Sequence, residues 1–223
     1  MDLLLYAQPV CAIGTGRIVF EELLLRLRAG RGCITGPGEL LARAEREGNI
    51  AEIDAWVIRE SARIAGQTRP VSVNVSAHSV SDPGFLTEVV KVLELPLVDP
   101  RLYTLEITET AVMSDLIQAS RFAEHLQSHG CAFALDDFGT GYAPLTYLKH
   151  LPFRYLKIDM SFVRDLVDDP RNQAVVRGIV ALAHGFGLET VAEGVEDERT
   201  LELLGRLGVD LAQGWFIGAP AQT

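Results

Sequence analysis

The sequence predicts an α/β protein, a (β/α)8 barrel of the TIM type, and three observations lead to this fold class. Short apolar runs rich in β-branched residues alternate with longer amphipathic segments along the whole chain, which is the pattern of a parallel sheet covered by helices. About eight such runs occur, the number that closes a barrel. A length of 223 residues, 48% of them hydrophobic and without a low-complexity linker, indicates a single domain over residues 1–223.

The predicted strands are short, apolar and bounded by glycine, proline or polar residues. In chain order they cover residues 8–12, 18–26, 71–75, 103–108, 131–136, 155–158, 190–193 and 211–213. The predicted helices have apolar residues at helical spacing. They cover residues 38–47, 53–65, 85–95, 116–127, 172–185 and 198–207.

Polar side chains mark the ends of the later strands. These strands finish in the segments VSVN, LEITE, FALDD, YLKID, VAE and LAQ, and barrel enzymes build their sites at the carboxyl ends of the strands. The segments supply Asn74, Glu106, Glu109, Asp136, Asp137, Lys157, Asp159, Glu193 and Gln213. We therefore expect these side chains to converge on one site.

Each of these residues alone has an ordinary structural interpretation. Lys157 could form a salt bridge at the rim, Asn74 could lie in a turn, and Gln213 could be a solvated strand end. An isolated Asp pair such as Asp136 and Asp137 is more often a strand end with a helix cap. Both aspartates can reach one cluster only where the strand ends and the backbone turns, because successive strand residues point to opposite faces. The joint placement of the residues is what favours a site.

An early strand adds a carboxylate and a cation to this predicted site. In IVFEELLLRLR, a period of two puts Glu22, Leu24 and Arg26 on one face. Crowded carboxylates raise one another's pKa or repel unless cations compensate them, so the cluster implies a divalent metal. The proposed ligands are all oxygens, which favours Mg²⁺ or Mn²⁺ over zinc. His78 lies close in sequence, but a surface or packing role is the preferred interpretation for it.

Composition and charge exclude several classes of function. A formal net charge of −10 argues against binding a nucleic acid polymer, which depends on basic surface. No stretch approaches the roughly 20 apolar residues of a membrane span, and the opening MDLLLY lacks the features of a signal peptide, so we expect a cytoplasmic chain. Cys11, Cys33 and Cys131 are scattered. They predict neither disulfides nor a zinc site and are interpreted as reduced core residues.

As a set, the strand-end motifs resemble those of the EAL domain, the family of cyclic di-GMP phosphodiesterases. The resemblance runs from YAQP to LAQGWFIGAP and includes ELLLR, VSVNVS, LEITE, DDFGTGY, LKID, AEGVE and AQG in the family's order. It implies a TIM-type barrel whose first strand is antiparallel to the rest, which the residue pattern alone does not predict. Leu23 departs from the alanine usual in the signature and is expected to face the helix layer.

The resemblance also implies a chemistry, the hydrolysis of cyclic di-GMP to linear pGpG through two-metal activation of water. The expected ligands of the first metal are Glu22, Asn74, Glu106 and Asp136. The second metal is expected on Asp136, Asp137 and, through water, Asp159. The expected catalytic groups are Glu193 as general base, Lys157 beside the attacking water, and Asp137.

The remaining implied roles lie around this centre. Arg26 is expected to meet a substrate phosphate. The other substrate-side or supporting residues are Leu24, Gln8, Gln213 and Glu196. Glu109 is expected to anchor the loop at residues 138–142 and to couple it to a homodimer. The resemblance also implies two Mg²⁺ or Mn²⁺ ions per site, inhibition by Ca²⁺, and an upstream sensor or GGDEF domain in a longer protein.

Two other functions stay open at this point. The chain could be a catalytically silent receptor for cyclic di-GMP, although its complete set of expected metal ligands favours an enzyme. A metal-dependent lyase or enolase-like enzyme with Lys157 as base would be compatible with the barrel alone. It would leave the DDFGTGY loop unexplained.

Overall fold

The computed structural model describes residues 2–28, 30, 33–65, 69–139 and 145–223. Within these ranges the strands are β1 (Asp2–Ala12), β2 (Ile18–Arg28), β3 (Ile34–Thr35), β4 (Val71–Asn74), β5 (Tyr103–Thr108), β6 (Ala132–Phe138), β7 (Tyr155–Ile158), β8 (Glu189–Ala192), β9 (Leu211–Gln213) and β10 (Ala221–Gln222). The helices are α1 (Gly38–Glu47), α2 (Ile50–Ala65), α3 (Ala77–Val80), α4 (Pro83–Leu93), α5 (Glu109–Ser114), α6 (Leu116–Ser128), α7 (Met160–Val163), α8 (Pro170–Gly185) and α9 (Glu198–Leu207).

Eight strands close into a barrel. β1 is antiparallel to both of its barrel neighbours, with Tyr6 opposite Leu24 on β2 and Cys11 opposite Ala212 on β9. The other seven are parallel, in the order β2, β4, β5, β6, β7, β8 and β9. Their carboxyl ends meet at one end of the barrel, the mouth, which carries Asn74 and Gln213. The opposite end, where Val71 and Leu211 begin their strands, is the floor.

Short-range signals set where the helices begin and end. The aspartates Asp82, Asp115, Asp169 and Asp197 each accept a backbone N–H at the first turn of a helix, which satisfies one of the donors that a helix start leaves free. At the other end of α9, Gly208 has φ 89°. Glycine adopts this left-handed conformation without strain, so α9 ends there.

Two apolar layers hold the barrel together. The interior below the mouth is filled by Val10, Phe20, Ala134, Tyr155, Val191 and Leu211, and the rings of Phe20 and Tyr155 lie 5.1 Å apart. A larger cluster packs the outer face of the barrel against the helices, and it includes Leu23. Leu23 therefore belongs to the helix-facing layer, as expected, while Glu22 beside it is directed to the opposite face.

The floor also carries a polar cluster whose groups are paired. Oδ2 of Asp210 accepts hydrogen bonds from the backbone N–H and the hydroxyl of Thr190, at 2.8 and 2.7 Å, and lies 2.9 Å from Nε2 of His184. Burial pushes the pKa of Asp210 up, but these hydrogen bonds outweigh it and hold the pKa below its ordinary value. The cluster ties α8, β8 and the start of β9 together.

The structure confirms the predicted barrel and the reversed first strand, and it corrects several boundaries. β1 begins at Asp2 rather than at residue 8, and β6 runs on to Phe138 rather than ending at residue 136. The short helices α3, α5 and α7 were not predicted. Cys11 and Cys131 are buried as expected, whereas Cys33 is exposed. Among the described residues, no helix has both the length and the apolar surface needed to cross a bilayer.

Candidate active site

The ammonium group of Lys157 lies at the centre of the mouth. Its Nζ is 2.5 Å from Glu106, 2.6 Å from Glu193, 3.2 Å from Asp136 and 3.4 Å from Glu22. The Lys157 side chain is only 1% exposed. Four carboxylates from four strands or strand ends thus surround one cation, and the interpretation of Lys157 as a rim salt bridge is wrong.

A local irregularity in β6 presents two adjacent aspartates at the mouth. The pairing of β6 with β7 shifts between Leu135 and Phe138, and Asp137 has φ 55°. This is the behaviour of a β-bulge, which breaks the strict alternation of a strand. The backbone turn expected at the Asp136–Asp137 pair is therefore present, but it lies inside the strand rather than at its end.

A chain of amide hydrogen bonds orients Glu22. Asn74 Nδ2 donates to Glu22 Oε1 at 2.7 Å, and Gln213 Nε2 donates to Glu22 Oε2 at 2.7 Å and to Gln8 Oε1 at 3.2 Å. Gln8 Nε2 in turn donates to the carbonyl of Gly218 at 3.1 Å. Gln213 is buried, so it is not the solvated strand end that its position alone permits.

Burial and charge crowding shift the pKa values of these groups. Burial alone would lower the pKa of Lys157, but the surrounding carboxylates hold it well above its ordinary value. Burial, and after it the charge of Glu22, raises the pKa of Glu106 well above its usual range. Burial raises the pKa of Glu193 to about 7, although Lys157 opposes the shift. At neutral pH, Lys157 is therefore protonated, and one ammonium does not supply enough positive charge to keep all four surrounding carboxyl groups ionised.

The donor set fits a hard divalent cation. Carboxylate oxygens of Asp136, Asp137 and Glu193 lie within 4.8 Å of one another. Within the described part of the chain, no hydrogen-bond donor reaches the buried Oε1 of Glu106. Buried anionic oxygens without donors require a cation or a proton, and an all-oxygen site suits Mg²⁺ or Mn²⁺.

Comparison with known proteins assigns the chain to a family. A sequence model described as the EAL domain matches residues 1–220. The chain belongs to the EAL domain family. It is 36% identical to the bifunctional diguanylate cyclase/cyclic di-GMP phosphodiesterase MucR of Pseudomonas aeruginosa and 34% identical to the cyclic di-GMP phosphodiesterase PdeB of Shewanella oneidensis. The two alignments cover 98% of this chain but only 33% and 26% of those proteins, so it spans about a third or less of their length.

Solved EAL structures have the same fold. The PaMucR phosphodiesterase in complex with c-di-GMP superimposes with a TM-score of 0.91 at 36% identity, covering 98% of this chain and 92% of that one. The FimX EAL domain of Pseudomonas aeruginosa bound to c-di-GMP also gives a TM-score of 0.91, at 31% identity, with coverage of 99% and 91%. These likenesses confirm the EAL barrel that the motifs suggested.

The rim of the EAL barrel holds the residues expected on the substrate side. Leu24 and Arg26 are partly exposed on β2, and Arg26 donates to the carbonyl of Leu25 at 2.8 Å. Arg26 forms no ion pair with any described carboxylate, so its charge is available to an anion. Glu196 is exposed after β8. Asp159 accepts from the backbone N–H of Ser161 and so caps α7. Burial, and after it the charges of Asp136 and Asp159, raises the pKa of Asp137, so Asp159 acts on the site electrostatically.

Glu109 lies beside the segment that follows the site loop. It is buried at the first position of α5. Burial, and after it the charge of Glu109, raises the pKa of Tyr147, which places the carboxylate near the 3-10 turn Leu145–Lys149. The loop to which a role was assigned, residues 138–142, is described only as far as Gly139. Its remaining residues lie outside the described ranges.

Sequence reasoning missed the part that Gly214 plays in this EAL site. A Cβ atom at this position would lie 2.1 Å from the carbonyl oxygen of Val195, so only glycine fits. The close approach allows Val195 N to donate to the carbonyl of Gln213 at 3.0 Å. Gly214 thereby locks the end of β9, and with it Gln213, against the segment after β8. The AQG motif contained the signal, because a glycine directly follows the polar strand end.

Proposed function

We propose that this EAL domain, over residues 1–223, is a metal-dependent phosphodiesterase that hydrolyses cyclic di-GMP to linear pGpG. The observation that supports the proposal most is the crowding of Glu22, Glu106, Asp136 and Glu193 around Lys157. A site with this excess of negative charge needs further cations before it can accept a diester anion. The names of its relatives supply the substrate class.

The residues proposed to hold two divalent cations are those that the motifs indicated. They are Glu22, Asn74, Glu106, Asp136, Asp137 and, at the edge, Asp159. When bound, Mg²⁺ or Mn²⁺ supplies positive charge for both the attacking and the leaving oxygen of an in-line displacement. Ca²⁺ has looser coordination and is expected to support binding better than turnover.

Glu193 is the proposed general base. A water molecule attacks phosphorus, one bond between phosphorus and a ribose 3′ oxygen breaks, and that oxygen takes a proton from solvent water to become the 3′ hydroxyl of linear pGpG. Glu193 takes the proton of the attacking water, because burial raises its pKa to about 7 and a base works best with a pKa near the operating pH. Lys157 Nζ, 2.6 Å from Glu193, orients that carboxylate and donates to developing negative charge.

The substrate is proposed to be held by Arg26, Leu24 and the side-chain amides of Gln8 and Gln213, which meet where β1 pairs with β9. Arg26 has no described carboxylate as an ion-pair partner, and its guanidinium is proposed to pair with a phosphate. Gln213 and Gln8 fix Glu22 through the hydrogen bonds at 2.7 and 3.2 Å, and Glu196 lies at the outer edge. No side-chain nucleophile is needed, since water is the attacking group.

A silent receptor is the second candidate, and one observation bears on it. Both the chain and the FimX EAL domain bound to c-di-GMP share the barrel, so the fold alone does not decide between binding and hydrolysis. The chemistry of Lys157 disfavours a lyase that uses it as base. Its pKa is held well above its usual value, so the amine stays protonated and is a poor base at neutral pH.

One assay separates the enzyme from the receptor. Purified protein is incubated with cyclic di-GMP and Mg²⁺, Mn²⁺, Ca²⁺ or EDTA, pGpG is measured by chromatography, and affinity is measured by calorimetry. The enzyme makes pGpG with Mg²⁺ or Mn²⁺ and none in EDTA. Tight binding without product in either metal would favour the receptor, and full activity after exhaustive chelation would overturn the metal mechanism.

We also propose that two copies of this domain form a homodimer and that Glu109 links the dimer to the site loop. The position of Glu109 beside Tyr147 supports the link. Glu109→Ala should lower kcat more than it weakens substrate affinity. Sedimentation that shows a fully active monomer at high concentration would contradict the dimer. In a longer protein, an upstream sensor or GGDEF domain would supply the regulatory input.

A further inference from the structure

Asp54 is a buried carboxylate outside the mouth, on the barrel-facing side of α2. It is 6% exposed, and its neighbours on the same helix face include Val57 and Ile58. A buried carboxylate costs free energy unless hydrogen bonds compensate it. An apolar residue would pack between helix and barrel without that cost, so the position of this charge calls for an explanation.

The hydrogen bonds of Asp54 go to the segment that follows β4. Its Oδ2 accepts the backbone N–H of Ser76 at 3.0 Å and the hydroxyl of Ser79 at 2.6 Å. The hydroxyls of Ser76 and Ser79 are 3.0 Å apart, and Ser76 Oγ accepts the backbone N–H of Ser79 at 3.3 Å. These contacts form one closed network between α2 and the start of α3.

This network ends two residues from a proposed metal ligand. Asn74 closes β4, and its Nδ2 donates to Glu22 Oε1 at 2.7 Å. The next residue, Val75, donates its backbone N–H to the carbonyl of Glu106 at 2.9 Å. The backbone after Asn74 is thus held by β5 on one side and by Asp54 on the other. Asn74 is itself exposed, so side-chain packing does not fix it. Its position depends on its pairing with Glu106 of β5 and on the hydrogen bonds of the residues that follow it.

We propose that Asp54 is a positioning residue for the metal site, which sets Asn74 against Glu22 through the backbone of Ser76. The proposal rests on the proposed function, because it assumes that Asn74 and Glu22 bind a divalent cation. A metal site loses affinity when the groups that orient its ligands are removed, typically by 10–100-fold. Because Asp54 acts through the backbone, the expected loss is at the lower end, about tenfold.

The test measures Mn²⁺ binding directly, by the electron paramagnetic resonance signal of free Mn²⁺, in the full chain without substrate. Asp54→Ala removes both hydrogen bonds and should weaken Mn²⁺ binding about tenfold. Asp54→Asn keeps one acceptor oxygen and should lie between this variant and the wild type. At saturating Mn²⁺, kcat with cyclic di-GMP should return to near the wild-type value in both variants, since the catalytic groups are unchanged.

Ser61→Ala is the matched control. Ser61 is fully buried on the same helix, and its hydroxyl donates to the carbonyl of Ile58 at 2.7 Å within that helix. It should lower the melting temperature and leave Mn²⁺ affinity unchanged. If Asp54→Ala fails to fold, Ser79→Ala removes the 2.6 Å bond to Asp54 and the 3.0 Å contact with the Ser76 hydroxyl, and it keeps the bond from the Ser76 backbone N–H to Asp54. It should still weaken Mn²⁺ binding, by a few-fold.

The positioning role would be overturned if the Asp54 and Ser79 variants bound Mn²⁺ as tightly as the wild type and lost only stability, as Ser61→Ala does. That result would leave the proposed function intact. A wild-type protein that binds no Mn²⁺ would overturn both proposals. A wild type that binds Mn²⁺ and makes no pGpG would overturn only the enzyme, because the shift in Mn²⁺ affinity is measured without turnover.

Discussion

The two ends of the barrel place a carboxylate in opposite environments. At the floor, the carboxylate of Asp210 meets Thr190 and His184, and its pKa lies below its ordinary value. At the mouth, four carboxylates share Lys157, and the pKa of Glu106 lies well above its ordinary value. A lowered carboxyl pKa means that the charged form stabilises the fold, and a raised one means that it opposes the fold. The ionised form of Asp210 therefore stabilises the floor, whereas the ionised form of Glu106 opposes the fold at the mouth. The mouth is not uniform, because burial raises the pKa of Glu22 but Lys157 and amide hydrogen bonds outweigh burial and hold that pKa below its ordinary value.

The largest expected effect is on catalysis at the mouth. Glu193→Gln keeps the size of the side chain and removes a base, so hydrolysis should fall on the order of 10² to 10⁴, while cyclic di-GMP affinity changes little. Glu189→Gln is the matched control, since Glu189 begins β8 at the floor, Glu193 directly follows β8 at the mouth, and Glu189 pairs with Arg154 at 3.5 Å. Product formation and calorimetric affinity are measured for both. Undiminished turnover by the Glu193 variant would show that another group takes the proton.

The next effect is on stability just above the floor. Phe20→Ala removes a buried ring that packs on Tyr155 and should cost about 3–5 kcal/mol of unfolding free energy. Because Phe20 belongs to the apolar cluster below the mouth, turnover per folded molecule should change far less than in the Glu193 variant. Thermal and urea unfolding measure the loss. A variant that kept its stability but lost turnover would show that the two ends are not separate.

A smaller effect distinguishes the floor by its pH dependence. The folded-state pKa of Asp210 is below its unfolded value, so its charge contributes stability above about pH 4, and the contribution is lost as the pH falls through the folded pKa. Asp210→Asn should therefore cost about 1 kcal/mol at pH 7, a figure reduced for its partial exposure. The difference from the wild type should vanish in acid. A constant difference across the range would mean that the loss is steric.

The smallest expected effect is on the stability of the metal-free mouth, and it is a gain rather than a loss. The folded-state pKa of Glu106 is above its unfolded value, so its ionised form costs stability once the pH exceeds the unfolded pKa of about 4.3. Glu106→Gln leaves Lys157 with three carboxylates, so metal-free protein in EDTA should be unchanged or more stable, by up to about 1 kcal/mol. Mn²⁺ affinity should fall. A large loss of stability in EDTA would show that the Lys157–Glu106 pair supports the fold.

Sequence patterns predicted the barrel and most of the mouth, because strand ends that finish in polar groups are local signals. The bounds of α1 and α9 were predicted correctly, since each has strong helical spacing and a glycine after its end. The start of β1 was missed, because the apolar run before Gln8 lacks alternation. Helices of four to six residues, such as α3 and α7, are too short to show a helical period.

The hydrogen-bond network around Asp54 could not be predicted from the sequence. A lone aspartate within a helical pattern is normally assigned to a solvated face, and its partners lie 22 and 25 residues away. The bulge at Asp137 was predicted to be the end of a strand. The sequence shows where the alternation of the strand's two faces breaks, but it does not show whether strand pairing resumes after the break. Such features depend on which elements pack together, and they are visible only in the fold.

The mouth is complete only when β9 closes the barrel against β1. The reversed strand β1 pairs with β2 and with β9, and the hydrogen bond from Gln213 to Gln8 joins residues 205 positions apart. During synthesis, the carboxylates of β5 and β6 emerge long before the strand that supplies Gln213. Contacts of such long sequence separation form late and slowly in folding. Until β9 docks on β1, Glu22 lacks its Gln213 donor, so a nascent chain from which β9 has not yet emerged should have its acidic residues but no finished mouth.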